Sequence, residues 1–271
     1  MANLTSLGIL GCGNMGGAIL RGILASKSFS PSSLFLLDRG NGHLDSFLGL
    51  GVNRVSSLGE LFEKSSGVLL AVKPQVFRAL SLEVHKLCGS LENKTMISVM
   101  AGLSTRHLCQ LFPSSFKIVR VMPNLGLAVQ EGASAMETDG IAEETLDQVE
   151  KLFSGSGKMV RVSGSQMNAV TGLSGSGPMY FFEFLDGLTE AGVEAGLDRT
   201  TAYSLALQTV KGSLKLLETS EDTPANWTAR VCSPAGTTLS ALQVLVEGEF
   251  KPLIRKAVLA AAHRSQELSQ S

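Results

Sequence analysis

The sequence predicts an α/β domain with a mostly parallel, doubly wound sheet, followed by an all-helical domain. Three observations lead there. Short apolar strands alternate with amphipathic helices over residues 1–163, as a parallel sheet covered by helices on both faces requires. A glycine turn joins the first strand to the first helix, and beyond Ser163 the strand-like runs give way to long amphipathic segments. A chain of 271 residues can hold two ordinary domains, each with its own core. The expected division is therefore 1–163 and 164–271.

Residues 7–10 form a short apolar strand that runs into glycines. From 15 to 25, Met15, Ile19, Leu20, Ile23 and Leu24 fall at helical spacing. Pro31-Ser32-Ser33 breaks the chain before Leu34-Phe35-Leu36-Leu37, a continuous apolar run suited to a strand buried on both faces. Together these make a βαβ unit. The alternation continues with strands at 68–72, 96–99 and 118–122, helices from about Gln75 and from Thr105, a helix at about 142–153, and a closing strand at 159–162. The second domain is read as helices at about 165–195, 199–219, 238–247 and 250–268, broken at Gly175-Ser176-Gly177-Pro178, at Pro224 and at Ser233-Pro234.

Between the first strand and helix stands Gly11-Cys12-Gly13-Asn14-Met15-Gly16, a G-x-G-x-x-G pattern. With glycine at 29 of 271 positions, about 0.3 chance matches are expected along the chain, so the pattern alone proves little. Its place between strand and helix, with Asp38 ending the next strand 22 residues after Gly16, makes it the fingerprint of a Rossmann dinucleotide site. Gly11 permits the tight turn, Gly13 lets backbone approach the pyrophosphate, and Gly16 allows close packing beneath a helix start whose N–H groups attract phosphate. Asp38 favours the ribose 2′-hydroxyl of NAD. Arg39 could instead pair with the 2′-phosphate of NADP, so NAD and NADP both stay open. Ala71-Val72-Lys73-Pro74, Met100-Ala101-Gly102 and Met122-Pro123-Asn124 end later strands, where the ligand crevice of such a sheet lies.

In the helical half, Ser233-Pro234-Ala235-Gly236-Thr237-Thr238 precedes a helix. Free N–H groups and hydroxyls there make a neutral anion site suited to a carboxylate, or an ordinary helix cap. Between Pro178 and Leu197 a helix is apolar on nearly every face, with Phe181, Phe182, Phe184 and Leu188 beside small Gly187, Ala191 and Gly192. A domain of this size can hardly enclose it, and a homodimer is the economical answer.

Composition narrows the partners. A net charge of −1 and 17% charged residues give no pull toward nucleic acid or an acidic membrane, leaving a small molecule. Cysteines 12, 88, 109 and 232 and histidines 43, 85, 107 and 263 show neither disulfide nor metal-ligand spacing, so no metal is expected. Free thiols, no positive residue before Arg21 and no apolar run of membrane length lead to the expectation of a cytoplasmic protein.

Taken together, "ILGCGNMG", "LLAVKP" at 69–74, "MAG" at 100–102, "RVMPN" at 120–124, "VTGLSGSGPMY" at 170–180 and "VCSPAGTT" at 231–238 resemble the pyrroline-5-carboxylate reductases nearly end to end. The resemblance implies a Rossmann domain binding NADP or NAD and a helical domain forming a dimer, alone or in a larger ring. It also implies reduction of a cyclic imine carboxylate, 1-pyrroline-5-carboxylate, to L-proline, the last step of proline synthesis. Carried over by position, Gly11, Gly13, Asn14, Met15 and Gly16 would hold the pyrophosphate, and Asp38 and Arg39 the adenine ribose. Ala71, Val72, Lys73 and Pro74 with Met100, Ala101 and Gly102 would line the nicotinamide side. Ser233, Gly236, Thr237 and Thr238 would hold the substrate carboxylate, with Thr238 nearest the reacting nitrogen, and Glu221 sits at a family acidic position.

The chain departs from the family pattern at Leu125-Gly126, where Thr-Pro is common, at Ala235, where glycine is common, and at Gly164, where glutamate is usual. Ala235 would be strained if that position needs positive φ. Other readings are a related cyclic imine reductase, a non-catalytic nucleotide sensor and a β-hydroxyacid-type dehydrogenase. The last needs a positioned lysine, and Lys211 and Lys215 lie in no recognisable motif.

Overall fold

The computed structural model describes residues 4–40, 44–87 and 94–270. Cys88 and His43 lie outside them, and the side chains of His85 and Pro74 are likewise not described. The chain divides into two compact units: Gly177–Leu259, and the rest, in which residues 260–270 join the N-terminal part.

In the first unit, β1 (Leu7–Leu10), β2 (Leu34–Leu37), β3 (Asn53–Arg54), β4 (Gly67–Leu70), β5 (Thr95–Ser98) and β6 (Lys117–Met122) pair in parallel. β7 (Gly132–Glu137) runs antiparallel to β6, and β8 (Gly157–Val162) is parallel to β7. Among the described residues the sheet has eight strands in the order β3-β2-β1-β4-β5-β6-β7-β8. The mostly parallel doubly wound sheet is as expected. β7 carries no strand signal in the sequence, because Gly132-Ala133-Ser134-Ala135 has no apolar alternation and few strand-favouring side chains, and β3 is only two polar residues long.

The period of two divides each buried strand between two cores. Leu7 and Ile9 of β1 pack with Ile19, Leu20 and Ile23 of α1 (Asn14–Ser26) and with Val149 and Phe153 of α6 (Glu143–Phe153). Leu10, Val68 and Leu70 face the other way, onto Leu61 and Phe62 of α3 (Leu58–Lys64), Leu80 and Val84 of α4 (Pro74–Leu87) and Leu108 of α5 (Thr105–Leu111). A short α2 (Leu44–Leu48) follows β2.

After β8 the chain enters α7 (Met167–Val170) and one π-helical turn, Thr171–Gly175, before α8 (Gly177–Glu194). Pro178 explains the interruption: it has no N–H to offer the Ser174 carbonyl. That carbonyl accepts instead from Asn124 Nδ2 at 3.1 Å.

The second unit holds α8, α9 (Arg199–Glu218), α10 (Pro224–Val231), α11 (Thr237–Glu247) and the first part of α12 (Phe250–Gln270), as far as Leu259. α10 was not expected, and it starts conventionally, with Pro224 in its first turn and Thr223 Oγ1 accepting the Asn226 N–H. α8 and α9 approach closely where Gly192 meets Ala202: a Cβ at Gly192 would lie 2.9 Å from that of Ala202. Phe181, Phe182, Val244 and Val246 remain exposed in the single chain. No helix among the described residues is long and apolar enough to cross a membrane.

Candidate active site

Side-chain caps open α3 (Ser57), α5 (Ser104), α9 (Asp198) and α10 (Thr223), whereas α6 and α7 begin on Ala142 and Gln166 without one. α1 and α11 open on Gly13 and Gly236, with no capping side chain. Their first-turn N–H groups are therefore left to an outside acceptor. These two helix starts are the two segments singled out in the sequence.

At α1, Gly11 takes φ +94°, and a Cβ there would sit 2.8 Å from the Ala71 carbonyl oxygen. Only glycine satisfies both demands. Gly16 lies underneath, where a Cβ would run into the Gly11 carbonyl oxygen and come within 3.0 Å of the Ala71 Cβ. Gly13 differs: a Cβ there would meet nothing within 4 Å, so the backbone faces open space. That open cradle above a helix N-terminus fits a dinucleotide pyrophosphate.

Two neighbouring clefts lie along the carboxyl ends of the strands, of about 420 and about 410 Å³, and share Gly13, Ala71, Val72 and Lys73. Together they suit the two ends of a dinucleotide. The first is lined by Gly11, Cys12, Asp38 and Arg39, and also by Val76, Leu80 and Glu83 of α4. The second contains Asn14, Met15, Met100 and Ala101, with Met122, Pro123, Asn124, Leu125 and Gly175. Gly102 does not line it: at φ +76°, its α-carbon faces Leu268, to which a Cβ would come within 3.3 Å. Pro74 begins α4 just behind the shared wall.

Asp38 is already engaged. Its Oδ2 accepts the Cys12 N–H at 2.6 Å and its Oδ1 accepts the Gly40 N–H at 2.8 Å, tying the glycine loop to the end of β2. Each oxygen keeps one lone pair for a ribose hydroxyl. Arg39 reaches out into solvent and pairs with Glu83 at 3.3 Å. Beneath the loop, burial, reinforced by the Asp38 charge, pushes the Cys12 thiol up to about 11. The thiol is neutral and buried, the opposite of a nucleophile's setting.

Glu83 and the other α4 side chains carry no sequence signal for the site, because only helix packing brings them to the cleft. Asn124, expected at the crevice from the "MPN" strand end, lines the second cleft. Its Oδ1 accepts the Gly126 and Ala133 N–H groups at 3.1 Å while its Nδ2 holds Ser174, so it braces one wall of the second cleft. Gly126 is required by that brace, since a Cβ there would crowd Asn124 and the Glu131 carbonyl. At Gly164 a Cβ would lie 2.6 Å from Glu137 Oε1; the bare position makes room for that buried carboxylate, which faces Arg120 at 4.0 Å. Burial lowers the Arg120 pKa, and Glu137 opposes the shift.

In the second unit, Ser233 to Gly236 form a tight turn, the Gly236 N–H donating to the Ser233 carbonyl at 3.0 Å. Ala235 takes φ +55°, the strained conformation anticipated for it. Leu239 and Ser240 donate to the Gly236 carbonyl, which leaves the Thr237 and Thr238 N–H groups unused beside exposed hydroxyls. Glu221 lies outside this turn, just before α10.

Comparison with known proteins gives this geometry its family. A pyrroline-5-carboxylate reductase of Arabidopsis thaliana is 38% identical over 267 residues, spanning 98% of this chain and 96% of that protein. The chain belongs to the pyrroline-5-carboxylate reductase family. Residues 164–268 match the model for pyrroline-5-carboxylate reductase dimerisation, and residues 6–102 match that for NADP oxidoreductase, coenzyme F420-dependent. Among solved structures, a Coxiella burnetii pyrroline-5-carboxylate reductase superposes with a TM-score of 0.90 at 30% identity, covering 99% of this chain and 100% of that one. A Plasmodium falciparum pyrroline carboxylate reductase with NADP bound gives 0.87 at 29% identity, covering 99% of each.

Proposed function

We infer that the chain reduces 1-pyrroline-5-carboxylate to L-proline with NAD(P)H, the final step of proline synthesis. The observation that carries this is the near full-length likeness to pyrroline-5-carboxylate reductases, on a chain whose paired clefts suit a dinucleotide. The bound dinucleotide supplies a hydride from its nicotinamide ring to the imine carbon.

In this reading Gly11, Gly13, Asn14, Met15 and Gly16 seat the pyrophosphate, with Gly16 acting from beneath as the spacer that shapes the turn. Asp38 and Arg39 meet the adenine ribose. Ala71, Val72 and Lys73, with Met100 and Ala101, form the walls toward the nicotinamide; Pro74 and Gly102 shape the backbone behind them. The unused Thr237 and Thr238 N–H groups and the hydroxyls of Ser233, Thr237 and Thr238 hold the substrate carboxylate, with Gly236 setting the turn. Thr238 is the hydroxyl assigned to the ring nitrogen. A protonated imine already accepts hydride, so these residues act by orientation and by excluding water rather than by acid–base exchange.

The functional division follows the change from mixed to purely helical sequence, 1–163 for the nucleotide and 164–271 for substrate and dimerisation. The match to a dimerisation model supports a homodimer, as do the exposed Phe181, Phe182, Val244 and Val246. Unpaired thiols at Cys12, Cys109 and Cys232 support a cytoplasmic setting.

The purified protein with pyrroline-5-carboxylate and either NADH or NADPH should consume the reduced nicotinamide, followed by its absorbance. Absence of turnover with both cofactors refutes the reading.

A further inference from the structure

Building on the nucleotide reading of the first cleft, we propose that Glu83 of α4 is a specificity-determining residue that holds the enzyme back from NADP. Three charged side chains gather at the ribose end. Asp38, Arg39 and Glu83 all line this cleft. Asp38 is held at the end of β2 by the Cys12 and Gly40 N–H groups, and moving it away from an incoming anion would break both contacts. Arg39 follows Asp38 at the end of β2, the position from which a guanidinium can meet a 2′-phosphate. In this chain its Nη2 is turned to Glu83 Oε2 at 3.3 Å.

The pair is exposed, with the two side chains at 82% and 45% accessibility, so its own contribution to stability is small. Its effect on ligand choice is larger, because Glu83 acts twice on the same group. A 2′-phosphate must draw Arg39 away from Glu83, and must then sit near two carboxylates with one guanidinium between them. A 2′-hydroxyl meets neither obstacle: it is neutral, and Asp38 still has lone pairs for it. Lys73 lies on the wall shared by both clefts and so serves either nucleotide. Removing the Glu83 charge while keeping its shape should therefore favour the phosphorylated cofactor selectively.

The experiment measures binding, without turnover. NADP+, NAD+, 2′,5′-ADP and 5′-AMP are titrated calorimetrically into the full-length parent, Glu83→Gln, Arg39→Gln and the double variant. Glu83→Gln should raise the ratio of NADP+ to NAD+ affinity by about tenfold at low salt, the size of one or two exposed charge contacts, with a smaller gain at high salt. The same ratio change should appear between 2′,5′-ADP and 5′-AMP, which probe the first cleft alone. In the Arg39→Gln background the gain should shrink, since one of the two routes by which Glu83 acts runs through the guanidinium. An unchanged or lower ratio in Glu83→Gln, or equal movement of both nucleotides, overturns the proposal while leaving the nucleotide reading intact. If the parent binds none of the four, the nucleotide reading fails, and this proposal with it.

Discussion

Replacing Gly13 by alanine should separate cofactor binding from folding. The backbone at Gly13, φ −71° and ψ −162°, is one that alanine adopts without strain, and its methyl would meet no atom within 4 Å. Losing glycine at a helix N-cap costs about 0.5–1 kcal/mol. The smaller entropy of an unfolded chain carrying alanine returns about 0.4–1 kcal/mol. These offset, so the thermal midpoint without nucleotide should move by no more than about 2 °C. The methyl would project into the space assigned to the pyrophosphate, and NADP+ and NAD+ should both bind at least tenfold more weakly, a loss of about 1.4 kcal/mol or more. Gly16→Ala is the contrast: its Cβ would strike the Gly11 carbonyl and lie 3.0 Å from the Ala71 Cβ. Both are backbone-fixed, and such overpacking costs about 1–3 kcal/mol of stability. Thermal unfolding of the apo protein and calorimetric nucleotide titration read the two effects separately. Parent-like nucleotide affinity in Gly13→Ala would refute the reasoning, because the phosphate could then not lie over this loop.

Three further outcomes are expected. Thr238→Ala should lower kcat for pyrroline-5-carboxylate while leaving nucleotide affinity near that of the parent; weaker nucleotide binding instead would move the 233–238 turn out of the substrate site. Ala235→Gly should raise stability by about 0.5–1 kcal/mol, the left-handed strain of alanine less the extra unfolded-state entropy of glycine; an equal or lower urea midpoint would contradict the positive φ. The Cys12 thiol, raised from 9.0 to about 11, ionises more readily in the unfolded chain. Its stabilising effect is therefore complete below about pH 9 and disappears as pH climbs toward 11. Urea midpoints should fall more steeply over that interval for the parent than for Cys12→Ala, and parallel slopes would count against the assignment.

Much of the fold was legible because its signals are local. The continuous apolar run of β2 and the helix starts at Thr105 and near 199 are written within a few residues of where they act. So is the glycine turn before α1. The strain at Ala235 was likewise readable, given the resemblance, from a single position. β7 was not legible: its small residues become a strand because Met136 and Ala135 face β6 and the whole segment ladders with β8. The π turn was partly legible, since Pro178 announces a lost donor, but not the side chain that compensates for it.

The sequence by itself determined the change from mixed to purely helical segments, the glycine turn before α1 and the turn before α11, because periodicity, capping and glycine conformation depend on neighbours along the chain. Only the tertiary structure decided what surrounds them. Asn124 meets Ser174 across 50 residues and Arg39 meets Glu83 across 44. Such contacts arise when sheet pairing and helix packing bring distant segments to one edge, and no short-range pattern specifies them. For that reason the glycine turn is written directly in the chain, whereas the carboxylate set against Arg39 is placed only by the packing of α4 beside the end of β2.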